Sequence, residues 1–226
     1  MTTAAFDHLV VAARSLDEGV AWCEATLGFV PTAGGAHPLM GTHNRVFSIA
    51  TPAWPRAYFE IIAIDPAAPP PGRLRWYDLD APALQAALAR GPQLIHWVLA
   101  CDDIVARRAQ LAGVGIVRGE LLDVQRDTPA GPLRWRLTVR DDGARLADGA
   151  LPTLIEWGDR HPADTLPATG VRLERLVACG VPPDARPLCA VPGVSFADDG
   201  PPLVAELATP RGPVSLMSLR RSDVQP

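Results

Sequence analysis

The chain has 226 residues and a mass of 24.1 kDa, enough for one large domain or two small ones around a real core. Hydrophobic residues at 48% and charged residues at 20% exclude wholesale disorder. A net charge of −4 and a pI near 5.7 argue against a nucleic-acid partner, which would require a basic face. All basic residues are Arg, a bias that says nothing about function. The 24 Pro and 19 Gly predict many turns and few long helices.

The alternating run Phe6–Ala12 predicts a first strand. Ser15 and Glu18 then open a helix as cap and N3 residue, Leu16, Val20, Cys23 and Leu27 recur at helical spacing, and Gly28 ends it. Short strands are expected at Phe29–Thr32, Asn44–Ala50 and Ala57–Ile64, with residues 34–43 as a Gly-rich loop, so the first unit reads βαβββ. Pro66–Pro71 marks a boundary, and a short helix capped by Asp80 follows.

A second cycle predicts a strand over Leu94–Cys101, a helix capped by Asp102 or Asp103, and strands at Val114–Arg118, Leu133–Val139 and Leu151–Trp157. A fainter third copy starts at Leu173–Val177 and continues through Val194–Ala197, Leu203–Ala208 and Pro213–Ser218, its helix shortened by Pro182, Pro183 and Pro187. The expected units are residues 1–72, a linker with a short helix over 73–92, a second module over 93–160, and a degenerate C-terminal half-module over 161–226.

No basic-then-apolar leader is visible at Met1–His8, and no apolar run approaches the ~20 residues of a membrane span. Cys23, Cys101, Cys179 and Cys189 lack CxxC spacing and predict free thiols in a reducing compartment. These features point to a cytoplasmic protein without a membrane partner. A homodimer is left open.

Superposing the first two copies makes His8 and His96 coincide, 88 positions apart. Strand alternation predicts that His8 shares a face with Phe6 and Val10, and Glu60 with Tyr58 and Ile62. In the second copy His96 is expected beside Leu94 and Val98, and Glu156 beside Leu154. A carboxylate inside Tyr-Phe-Glu-Ile-Ile is costly to bury alone. Two carboxylates facing two imidazoles point to a divalent cation between His8, Glu60, His96 and Glu156. Ni, Zn, Mn, Fe or Co would suit this donor set, and the choice among them is not readable.

The segments Phe6–Ala12, Thr26–Phe29, Gly34–Asn44 and Leu151–Trp157, with strand-central Glu60, resemble the glyoxalase-like domain proteins of the vicinal-oxygen-chelate superfamily. The resemblance covers roughly residues 5–160 well and the rest loosely. It implies an α+β fold in which tandem βαβββ modules form an incompletely closed mixed β-barrel. It also implies metal ligands on the first and last strands of each module, where His8, Glu60, His96 and Glu156 fall. In glyoxalase I-type members a closing-strand Glu moves a proton between adjacent carbons; that role falls on Glu156, with Glu60 as the symmetric alternative.

The expected activity is thus that of a metal-dependent lyase or isomerase acting on a small carbonyl compound through a metal-stabilised enediolate. An extradiol dioxygenase using His8, His96 and Glu156 with ferrous iron is the second reading, and a non-catalytic small-molecule binder the third. Tyr58, on the face of Glu60, is the foremost pocket candidate; Asn44, Arg45 and Arg136 are further candidate substrate contacts, and His37 and His43 of the Gly-rich loop are candidates for a lid or a substrate contact. His161 is expected to be exposed, and Trp97 and Trp157 to pack under the helices. Dinucleotide, phosphate-loop, nucleophile-elbow and zinc-type Cys motifs are absent.

Overall fold

The computed structural model describes residues 3–128 and 131–223; the outermost residues of the expected N- and C-terminal units lie outside the described residues. The first unit consists of β1 (Ala4–Ala12), α1 (Leu16–Leu27), β2 (Ala33–His37), β3 (Thr42–Ser48) and β4 (Tyr58–Ile64). Ser15 caps α1 by accepting the Glu18 N–H, and Gly28 closes it in the left-handed region at φ 73°. After α2 (Pro82–Leu88) come β5 (Gln93–Cys101), α3 (Ile104–Gly113), β6 (Glu120–Arg126), β7 (Leu133–Val139) and β8 (Thr153–Trp157). Asp103 is the cap of α3, accepting the Ala106 N–H at 2.9 Å.

Three local expectations are corrected. Residues 29–32 form no strand; the Gly-rich segment does, as β2, followed by a 3-10 turn at Pro38–Met40. Glycine there permits close approach, because a Cβ on Gly34 would lie 2.0 Å from the Asn44 carbonyl oxygen. Residues 114–118 are likewise not a strand. Gly115 and Gly119 both sit at φ 82°, and the second edge forms only beyond them, as β6. Asp80 does not cap α2, whose cap position is Ala81, because its carboxylate is held by Arg75 at 2.6 Å.

The strands form one eight-stranded sheet in the order β2-β3-β4-β1-β5-β8-β7-β6. Within each module the first strand pairs in parallel with the fourth, and β1 joins the modules by pairing antiparallel with β5. The sheet curls into a barrel whose seam, between edges β2 and β6, stays unsealed by backbone pairing. Asp123–Arg126 face Ala36–Met40 across it around an open cleft.

The sheet separates two cores. Phe59, Ile61, Trp97, Leu99 and Leu154 pack on the helical side, while Val10, Ile62, Val98, Leu137 and Ile155 fill the concave side with Leu84 and Leu88 of α2.

The last third supplies β9 (Arg172–Cys179), α4 (Arg186–Cys189), β10 (Val194–Ala197), β11 (Leu203–Thr209) and β12 (Gly212–Met217). These strands make a separate four-stranded sheet, β10-β9-β11-β12, which joins the helical-side core. Its first strand pairs in parallel with its second rather than its fourth, so its order differs from that of the modules. The four cysteines are buried and free, and no helix among the described residues is long and apolar enough to cross a membrane.

Candidate functional site

β1 carries His8 to the concave face. The pairing with β5 slips at Asp7, so that Phe6 opposes Leu99 but His8 opposes Val98. The extra residue breaks the alternation: Phe6 joins the helical-side core, whereas His8 and the Asp7 carboxylate turn inward. On β4, Tyr58 and Glu60 face the same way, as expected, and Tyr58 stacks on the His8 imidazole at 4.3 Å. Asn44 and Val46 of β3, His37 of β2, and Trp76, Tyr77, Arg126, Trp135 and Trp157 line the same small cavity.

A continuous polar chain crosses this cavity. The Asp7 carboxylate, 1% exposed, accepts from Trp157 Nε1 at 2.8 Å, His161 Nε2 at 3.0 Å and His8 Nδ1 at 2.5 Å. His161 Nδ1 accepts the Ala163 N–H, which fixes the tautomer that donates to Asp7. On the other side His8 Nε2 stands 3.6 Å from Glu60 Oε2. Glu60 Oε1 accepts from Asn44 Nδ2 at 2.6 Å, and the same amide reaches His37 Nε2 at 3.3 Å.

The charges follow from this arrangement. Burial works against a charged His8, but the Asp7 hydrogen bond and the Glu60 carboxylate outweigh it and raise its pKa to about 9. Burial also opposes ionisation of Glu60, yet His8, His37 and Asn44 leave its pKa below the ordinary value. Asp7 is also held well below the usual carboxylate range against its own burial, by His161 and His8. Near neutrality the centre is therefore an imidazolium between two carboxylates. His37, by contrast, is pushed down to about 4, mainly by burial, and stays neutral.

The second module does not contribute the expected donors. The pairing of β1 with β5 slips again at Ile95, so His96 reaches the concave side while Leu94 packs on the helical side. There His96 Nδ1 donates to the Gly149 carbonyl at 3.0 Å, and Nε2 accepts the Thr153 N–H at 3.0 Å. Burial, with Arg118 and Arg145 nearby, keeps the ring neutral. Both nitrogens are spent.

Glu156 lies on the face opposite Ile155 and Trp157. It accepts the Ile104 N–H at the start of α3 at 2.9 Å and a fork from Arg136. Register identifies the true counterpart of Glu60. Glu60 pairs with Val10, two residues after His8; Thr153 pairs with Val98, two residues after His96.

Further expected contacts move for the same reason of alternation. His43 and Arg45 lie on the other face of β3 from Asn44, His43 being 3.8 Å from Asp65, and Arg136 is bound to Glu156. Trp97 packs under the helices as expected, but Trp157 lines the cavity, and His161 is buried rather than exposed.

Asp7, His161, Trp76, Tyr77 and Arg118 were not among the expected site residues. Asp7 had a readable signal, an acid directly before an imidazole in a buried strand; the others had none.

These residues do not fit a metal held by His8, Glu60, His96 and Glu156. His8 and Glu60 share a cavity, His96 has no free lone pair, and Glu156 serves a helix end on another face. Among the described residues no group of three or more His, Cys, Asp and Glu side chains is placed to hold an ion.

Paired βαβββ modules curled about a polar cavity define the vicinal-oxygen-chelate class. Residues 6–187 match the model of the glyoxalase-like domain, and the chain belongs to that family. No curated protein matches it in sequence. Among solved structures it is similar to a hypothetical protein from Staphylococcus aureus, with 14% identity over 96% of this chain and 87% of that one, at a TM-score of 0.60. A variant of Streptomyces coelicolor methylmalonyl-CoA epimerase in complex with 2-nitronate-propionyl-CoA matches at 20% identity over 70% of this chain and 96% of that one, with a TM-score of 0.42.

Proposed function

We propose that the chain is a glyoxalase-like enzyme that moves a proton on a small carbonyl compound held in the first-module cavity, with Glu60 as base and His8 as acid. The observation that carries this reading is the placement of Glu60 Oε2, which faces His8 Nε2 across 3.6 Å while Oε1 is occupied by Asn44.

A carbonyl oxygen that displaces Glu60 Oε2 from His8 accepts a hydrogen bond from His8 Nε2–H; as Glu60 takes the proton from the neighbouring carbon, the imidazolium stabilises the oxyanion that forms and then gives it its proton. The same event withdraws from Glu60 the interaction that contributes most to keeping it acidic, so its basicity rises when substrate binds. Asp7, itself anchored by Trp157 and His161, keeps His8 protonated and oriented. Tyr58 and the tryptophans exclude water around the centre. This scheme retains the lyase or isomerase chemistry expected of the resemblance and routes no step through a metal. The dioxygenase set is disfavoured because it needs His96 and Glu156.

The test is deuterium incorporation next to the carbonyl of hydroxyacetone, followed by proton NMR in heavy water, with metal content measured on the same preparation. Exchange that falls about 100-fold or more in Glu60→Gln supports the reading. Equal exchange in the variant overturns it, and saturable binding without exchange makes the protein a binder.

A further inference from the structure

A second, narrow cleft lies toward the second module and shares Trp76, Tyr77 and Leu137 with the first as walls. Arg118 enters it from the segment between α3 and β6. This side chain is only 4% exposed, and among the described residues its guanidinium forms just one hydrogen bond, from Nη2 to Thr153 Oγ1 at 3.1 Å. Nε and Nη1 are buried without an acceptor, although a guanidinium offers five N–H groups. The Trp76 Nε1 donor, on the wall common to both cavities, also lacks a partner.

Charge makes the omission sharper than a missing hydrogen bond. Among the described residues no Asp or Glu lines this cavity, whereas three Arg do. Arg145 is paired with Asp78 at 2.9 Å and Arg140 with Asp142, which leaves Arg118 without a counter-ion among the described residues. A lone buried cation is costly unless something anionic joins it. Water would satisfy its N–H groups but not its charge. Part of the wall, the rings of Trp76 and Tyr77 with Leu137 and Val139, is apolar and favours an organic anion over a strongly hydrated inorganic one.

We propose that the cavity around Arg118 is a binding site for a small organic carboxylate, gripped by the guanidinium with Thr153 holding the fork in place. Planar N–H pairs match a carboxylate in a way a point charge does not. The site stands independently of the His8–Glu60 reading, because none of its donors comes from that pair.

The test uses acetate and pyruvate as probes, with acetamide as the neutral control and inorganic phosphate as the hydrated anion. Thermal shift and calorimetry on the full chain should show saturable stabilisation by the carboxylates and none by acetamide. Arg118→Met should weaken carboxylate binding at least tenfold while the free protein melts at the same temperature or higher, since an unpaired buried charge has been removed. Arg118→Lys, which keeps the charge but not the fork, should fall between.

Glu60→Gln should bind acetate within twofold of the wild type, whether or not it loses exchange. Equal carboxylate binding in Arg118→Met overturns the site, as does a phosphate response stronger than that to acetate. A sharply lowered melting temperature for free Arg118→Met would make the residue a structural element and overturn it too. Loss of acetate binding in Glu60→Gln would move the anion to the other cavity.

Discussion

Thr153 occupies in the second module the place that Glu60 occupies in the first: each pairs with the residue two positions beyond its module's inward-facing histidine. The duplicated scaffold is therefore not duplicated in charge. One half carries an ionised Asp-His-Glu chain; the other carries a neutral histidine satisfied by backbone and a threonine.

The clearest consequence separates the two glutamates. Glu60→Gln is expected to lower proton exchange by about two orders of magnitude or more, because the amide cannot accept a proton from carbon. Glu156→Gln should leave exchange intact and reduce stability by about 1 kcal/mol, through a weaker hold on the start of α3 and on Arg136. Parallel NMR exchange and urea denaturation of both variants decide the matter.

Stability should also depend on pH through His8. Its pKa in the folded chain is raised to about 9 from 6.5, so the stabilising contribution of the imidazolium is complete below pH 6.5 and fades as pH rises through about 9. Asp7 and Glu60, both lowered, act in the opposite direction: their contribution is present above about pH 4.5 and is lost as pH falls through their folded-state values. Urea midpoints should decline at the alkaline end, and His8→Gln should flatten that decline. An alkaline limb unchanged in His8→Gln would contradict the assignment.

Asp7→Asn tests the anchor. The carboxylate accepts three side-chain hydrogen bonds in a dry setting, and its removal leaves the His8 charge without its main partner. A loss of about 3–5 kcal/mol is expected from breaking such a buried pair. The His8 titration, read from its ring protons, should move down toward or below 6.5.

His96 calls for the opposite expectation. Replacement by Leu strands the Gly149 carbonyl and the Thr153 N–H, which should destabilise the fold by about 1–3 kcal/mol. Metal content, measured by elemental analysis, should be the same as in the wild type.

Much of the architecture was legible in local signals. Ser15, Gly28 and Asp103 mark helix ends through capping chemistry, and the alternation around Phe59 and Glu60 gave the correct inward face for β4. The site was only half legible, for a physical reason. Alternation assigns faces only while a strand is regular, and single-residue slips at Asp7 and Ile95 reverse the count on either side of them.

Glu156 was misplaced because β8 is entered at Thr153, which sets Ile155 and Trp157 inward and Glu156 outward. The Gly-rich segment resembled a loop in composition, although its glycines serve the close approach of β2 to Asn44. His161 lay beyond reach altogether, since nothing local links it to a carboxylate 154 positions earlier.

That last bond also sets a limit on dissection. The carboxylate that governs the first module is held by Trp157 and His161, one at the end of the second module and the other in the segment leading to the four-stranded sheet. A fragment cut after β4 would retain Asp7 and both members of the acid–base pair yet lose the two donors that anchor the Asp7 carboxylate. Gene-splitting or module-swapping schemes that treat the opening seventy residues as a portable unit should thus leave the Asp7 carboxylate slack and the His8 ring poorly aimed.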